Sequence, residues 1–453
     1  GGQPTGPNIW YGYAPPAVCT GPRALECIAE RPDRAPAGRG GKARRCLLPP
    51  RLACGSDPDG EHFSLPPGLP CPLSASALER AAAPLGHQGG WLRVRRAMQR
   101  LSEVGGNLSI AVLGTSMTEG RKSNSTWARR LEELFRYAGL DVRVNNCARG
   151  GSNSEWMIAG LKNLGPKLKA ADLIIVDYAL NDGRGSRDTY SEGVKFLTQL
   201  PHRPGVIDLL TFSQTDPDGM PTNDCSKVDL SRYTHVPVDR ELNIPMISYT
   251  EAVCPTARTF WMAEGRDSDC PETTHPGTQT HDLVARIVYS VLRGEMEKAC
   301  RGDLGTDLAP TRSEGASACL AARPTAALDA VSGTLRPLWA DPEWRLYEDA
   351  PKKPGWIADE RSSGKSIAFN VTTKLGWIQV EYLGTYENIG SSSVYIDGIE
   401  PIMERTCELH GRWPDKVSLS KFTKMRTTLP AGPHTLTFVG HGAKFKLLGI
   451  VAC

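Results

Sequence analysis

From residue 108 to residue 298 the sequence alternates short apolar runs with helix-spaced ones, and few folds accept that order. Runs at 109–113, 142–144, 173–178, 206–211 and 245–249 read as strands, the third apolar nearly throughout. Between them, 127–137 carries Leu131, Leu134 and Phe135 at helical spacing. Segments 155–164 and 191–200 also read as helices, and 280–296 as a closing one. Strands joined by crossover helices run parallel, and a parallel sheet must be covered on both faces. The expectation is a three-layer α/β/α domain at 105–298, flavodoxin-like in kind. Ligands of such sheets sit at the carboxyl ends of the strands.

The rest of the 453 residues divides by texture, in line with about three domains for this length. Residues 1–104 form an extension rich in Cys, Pro, Gly and Arg, with helical patterns only at 76–82 and 91–103. Arg31, Arg34, Arg39, Lys42, Arg44, Arg45 and Arg51 crowd one stretch of it. This is read as a solvated, disulfide-stapled face rather than as a patch for acidic polysaccharide. Residues 299–335 read as an Ala-, Gly- and Pro-rich linker. At 336–453, short alternating strands at 366–371, 377–382, 393–396, 434–439 and 445–452 predict a β-sandwich of jelly-roll type. Trp356, Trp377, Tyr382 and Tyr386 there are assigned to packing before sugar stacking. A net charge of +3 gives no reason to expect nucleic acid as a partner. No apolar run approaches the roughly 18–20 residues of a membrane helix, so no transmembrane segment is expected.

Thirteen cysteines, none in a CxxC pair, point to structural disulfides and an oxidising compartment. The spacings Cys19/Cys27 and Cys46/Cys54 fit no common zinc signature. Sequons at Asn107, Asn124 and Asn370 agree with a secreted or secretory-pathway glycoprotein. The sequence opens on Gly1-Gly2 with no apolar leader, so a signal or anchor is expected to have been removed. An odd cysteine count leaves at least one thiol free or bonded between chains. Cys407 and Cys453 are the only cysteines after Cys319 and are expected to bridge within the sandwich.

The chemistry-bearing residues fall after strands. Gly114-Thr115-Ser116-Met117 places a serine at a strand-to-helix turn, a position that exposes a nucleophile but equally suits an N-cap. Asn146-Cys147-Ala148-Arg149-Gly150-Gly151-Ser152 follows the second strand, its glycines letting backbone N–H groups approach a ligand. Asn181, in Ala179-Leu180-Asn181-Asp182, could aim its amide at an oxyanion or simply form a turn. Glu272 precedes His275 by three residues, a spacing that lets a carboxylate orient an imidazole base.

Taken in order, these blocks resemble the SGNH (GDSL-like) hydrolase family, over about 105–298. Thr115 stands where that family has Asp, Ala179 where it has Gly, and Glu272 where it has Asp. The resemblance implies a serine esterase. His275 would take the proton of Ser116, Glu272 would orient His275, and the N–H groups of Ser116 and Gly151 with Asn181 would form the oxyanion hole. Asp269 and Asp267 are the alternative acids. The implied mechanism needs no metal or cofactor. The implied partner is an acylated glycan or small ester, with acetyl the expected acyl group and a cell-wall or matrix association in view. Two other readings stand beside it: an O-acyltransferase using the same triad, and a carbohydrate-binding or structural protein with a degenerate site.

Overall fold

The computed structural model describes residues 46–52, 71–120, 126–159, 167–168, 170–182, 186–211, 225–254, 275–309, 326–329, 334–351, 353–374, 376, 378–399, 408–413, 418–425 and 429–452. Glu272, Asp267, Asp269, Asn124, Trp377, Cys407 and Cys453 lie outside them, as do residues 1–45, so the acid assignment and the sandwich bridge fall outside the described residues.

Five parallel strands, β1 (Asn107–Gly114), β2 (Asp141–Asn146), β3 (Leu173–Asp177), β4 (Gly205–Leu210) and β5 (Met246–Ser248), stand in the order β2-β1-β3-β4-β5. Side chains along a strand alternate faces, and the core divides accordingly. Ile110, Val112, Leu173, Ile175, Ile207 and Leu209 join one apolar layer; Ala111, Leu113, Ile174, Val176 and Val206 join the other. The first layer is covered by α1 (Ala75–Ala82), α2 (Leu92–Leu101) and, after the one-turn α3 (Ser116–Glu119), by α4 (Trp127–Tyr137). The second is covered by α5 (Ser154–Ala159), α6 (Arg187–Thr198) and α7 (His235–Leu242). The short α8 (Tyr249–Val253) and the long α9 (Thr278–Cys300) complete the first layer. This is the expected three-layer arrangement. No helix among the described residues is long and apolar enough to cross a membrane.

Two sequence boundaries shift. Leu73, Ala81, Trp91, Val94, Met98 and Leu101 are buried in the same layer as α4 and α9. The part of the 1–104 extension from residue 71 onward therefore packs into the α/β core, the helical patterns at 76–82 and 91–103 supplying its apolar stripes. Helix α7 was not expected, because Pro237 interrupts its pattern. The proline lies in the first turn, where no intrahelical N–H bond is lost, so the helix forms around it.

The carboxyl-terminal region is a sandwich of antiparallel strands. It begins with β6 (Ala326–Asp329), β7 (Trp339–Ala340), β8 (Trp344–Glu348) and β9 (Pro354–Ala358). There follow β10 (Ser366–Thr373), β11 (Ile378–Gly384), β12 (Ser391–Ile396) and β13 (Glu408–His410). The last are β14 (Leu419–Lys424), β15 (Gly432–Gly440) and β16 (Phe445–Ala452). One sheet runs β13-β12-β15-β10-β7, the other β14-β11-β16-β9-β8, with β6 also on β16. Phe369, Phe438, Val380, Ile450 and Trp344 fill the space between them. Trp356 and Tyr382 pack there as well, whereas Tyr386 is exposed. The 299–335 stretch is not a plain linker: it supplies β6, and its start is held to the α/β unit where Thr306 O accepts the Leu92 N–H at 2.9 Å.

Candidate active site

In the order β2-β1-β3 the chain leaves β1 toward one side and β3 toward the other, so a crevice opens between their carboxyl ends. Ser116 sits on one lip of it. Thr115 caps α3, its hydroxyl accepting the Met117 N–H at 3.2 Å, and the turn is tight because Gly114 carries no side chain. A Cβ on Gly114 would meet Thr118 Oγ1 at 2.6 Å. His275, just ahead of α9, brings Nε2 to 3.0 Å from Ser116 Oγ. Both residues are half-buried, reachable by substrate yet partly desolvated.

The loop after β2 closes a second side. Gly150 lies against the nucleophile, its missing Cβ 3.6 Å from Ser116 Cβ, and its N–H donates to the Glu119 carboxylate at 3.0 Å. Gly151, the next residue, is exposed and left-handed at φ +70, which suits glycine. Asn181 stands in the turn after β3 and donates one amide N–H to Ser152 O at 2.8 Å, leaving a second to point elsewhere. His275 and Gly150 therefore stand against Ser116, and Asn181 is tied to the loop of the glycine pair through Ser152.

Beneath it lies a layer of buried polar groups that sequence reasoning did not mark. Asp177, the last residue of β3, accepts hydrogen bonds from Thr118 and, at 2.7 Å, from Thr211. Burial, reinforced by the nearby Asp208, pushes its carboxyl up to about 7 against the pull of those two hydroxyls. His235 is fully buried, its Nε2 2.7 Å from Asp182 and its Nδ1 3.1 Å from Asp208. Burial alone would lower its pKa, but the two carboxylates outweigh it and hold the imidazolium up to about 10. Tyr190 stacks on the ring with centroids 3.4 Å apart and donates to Asp239 at 2.8 Å. Asp239 is itself pushed up, by burial first and by Asp208 second. On the other face, His281 accepts the Trp127 N–H at 3.2 Å, and burial, with His275 nearby, pushes it down to about 4.

No family model matches the sequence, and no curated protein is similar to it in sequence. Solved structures are similar in three dimensions. A two-domain esterase (CEX) active on acetylated mannans, co-crystallised with mannopentaose, aligns at TM-score 0.60 and 17% identity, covering 83% of this chain and 97% of that one. A further structure of such a two-domain esterase (CEX) aligns at TM-score 0.59 and 16% identity, covering 83% and 98%. The chain has the fold of a two-domain esterase.

In this two-domain fold the sandwich reaches the crevice. Strand β14 runs past the loop after β2, where Arg149 donates to Ser420 Oγ at 3.0 Å and a Cβ on Gly151 would stand 3.0 Å from Leu419 Cβ. Lys424 of the same strand bonds Glu192 of α6 at 2.9 Å. The signal for the buried layer was present but unread. An Asp within the apolar stretch of β4 and another ending β3 must either reach water or find partners, and here they find partners.

Proposed function

We propose that the chain is a serine esterase of the SGNH type that removes acyl groups, acetyl foremost, from a glycan or other extracellular ester. The observation that carries this is the 3.0 Å approach of His275 Nε2 to Ser116 Oγ at the crevice between β1 and β3. In the first step Ser116 Oγ attacks the ester carbonyl while His275 takes its proton. The tetrahedral oxyanion is received by the N–H groups of Ser116 and Gly151 and the second amide N–H of Asn181. Gly150 is passed over because its N–H is already given to Glu119. His275 then protonates the departing alcohol, and water, deprotonated by His275, releases the acyl group from Ser116. Glu272 is assigned to orient His275, with Asp269 and Asp267 as the alternatives.

The acetylated-glycan assignment rests on the likeness to an esterase active on acetylated mannans. Residence outside the cell rests on the disulfides Cys46–Cys300 and Cys225–Cys254 and on the exposed sequon residues Asn107 and Asn370, proposed as glycosylation sites. The test is hydrolysis of an aryl acetate and of an acetylated glycan by the wild type, Ser116→Ala, Glu272→Gln and Asp269→Asn. Ser116→Ala should lose turnover by a factor of about 10⁴ or more with unchanged stability. Glu272→Gln should lose more than Asp269→Asn. Undiminished turnover in Ser116→Ala overturns the reading, and a larger loss in Asp269→Asn moves the acid.

A further inference from the structure

The two loops that flank the crevice are tied to each other by more than contact. Asn181 donates to Ser152 O at 2.8 Å, and the next residue, Asp182, accepts the Ser154 N–H at 2.9 Å through Oδ1. The loop after β3 thus holds the loop after β2 at two points on either side of Asn153. What holds Asp182 is His235, which meets its other oxygen, Oδ2, at 2.7 Å. His235 opens α7 and is itself held from behind by Asp208 of β4, while Tyr190 of α6 closes over the ring. Every member of the line Asp208–His235–Asp182 is fully buried. Among the described residues, the other ionisable groups facing it include Asp239 on its own helix, Tyr190 and, one strand over, Asp177 and Tyr178.

We infer that His235 is a positioning residue for the oxyanion hole: bridging Asp208 to Asp182, it fixes the loops that carry Asn181 and Gly151 relative to Ser116. A buried charge with two partners has one arrangement of low energy, since moving either loop by an ångström would leave a desolvated charge unpaired. The fold thereby converts an expensive buried ion cluster into a rigid seat for the oxyanion donors. The inference rests on the esterase reading above, because a hole without a reaction has nothing to receive.

The test compares His235→Gln and Asp208→Asn with Glu295→Gln, which breaks the buried Arg95–Glu295 pair toward the other end of α9 and serves as a control for lost buried charge. Each folded variant is assayed on an aryl acetate for kcat and KM, and the amide exchange of Ser154 is followed in the same protein. His235→Gln should lower kcat by about 10- to 100-fold with KM changed by no more than about two-fold, and Ser154 should exchange faster. Asp208→Asn, which leaves the ring in place, should show the same split to a lesser degree and is the variant to read if His235→Gln does not fold. An unchanged kcat in a folded His235→Gln, or a loss no larger than that of Glu295→Gln, overturns the inference. Should the wild type hydrolyse no ester, the esterase reading fails, and the exchange arm still decides this one: unaltered Ser154 exchange overturns the clamp.

Discussion

Gly114 shows how narrowly the site is built at the level of single residues. Its missing side chain lets Thr118 fold back to the Asp177 carboxyl, which in turn fixes the one-turn helix under Ser116. Trp127 Nε1 donates to the same threonine hydroxyl at 3.3 Å, and Asn146 donates to Thr118 O at 2.8 Å, so one residue gathers three elements. A methyl group at Gly114 would have to displace Thr118 Oγ1 and the Asp177 carbonyl, found 2.6 and 3.0 Å from its position. Gly114→Ala is therefore expected to cost about 1–3 kcal/mol of stability, as overpacking does, and to reduce turnover as well. Urea denaturation beside an aryl acetate assay checks both; an alanine variant as stable and active as the wild type would show that the turn has room.

Among elements, the long α9 connects the site to the far edge of the domain. His275 precedes its first turn, and Cys300 at its last turn is bonded to Cys46. That bond closes a loop of 254 residues, for which the chain-entropy account gives about 5 kcal/mol before strain. Arg51 and Arg293 add ion pairs to Glu297 near the same end. Replacing Cys46 and Cys300 together by serine should lower stability by about 2–5 kcal/mol while leaving kcat near the wild-type value, because the change is remote from Ser116. A guanidinium melt reads this, and no shift in its midpoint would mean the bond contributes nothing. Much at this scale was legible in the sequence. The five strands and α4 announced themselves by short, mostly apolar runs and a clean helical stripe, and three of the turns that carry the candidate residues by their places after strands. Helix α7 did not, since its proline masks a stripe of only Val236, Val238 and Leu242. Strands β8 and β14 did not either: β8 is exposed beyond its first residue and β14 is half-buried along its length, so neither alternates. His235 was invisible for another reason, since its role exists only where Asp182 and Asp208 converge from distant parts of the chain.

For the molecule as a whole, the buried ionisable groups set how stability depends on pH. His235 binds its proton up to about pH 10 when folded but only to about 6.5 when unfolded. The native state therefore holds more protons in that window, and stability is full below 6.5 and lost as pH rises toward 10. Asp177, raised to about 7, acts with the same sign between roughly 3.8 and 7. His281, lowered to about 4, has the opposite sign, losing stability as pH falls from 6.5 to 4, and offsets Asp177 there. Above pH 7 nothing in this group opposes His235. The thermal midpoint should fall steadily from pH 7 to 10, and less steeply in His235→Gln; calorimetry showing a flat midpoint across that range would contradict the charge state assigned to the cluster.

The proposed esterase requires a working serine nucleophile at Ser116, activated by His275. Reaction of the full chain with a serine-directed aryl phosphonate, followed by peptide mass mapping, tests it most directly. One adduct is expected, on Ser116, formed as esterase activity disappears, and none in His275→Ala at the same reagent concentration. Loss of activity with the phosphonate on another residue, or full activity with Ser116 modified, would contradict it.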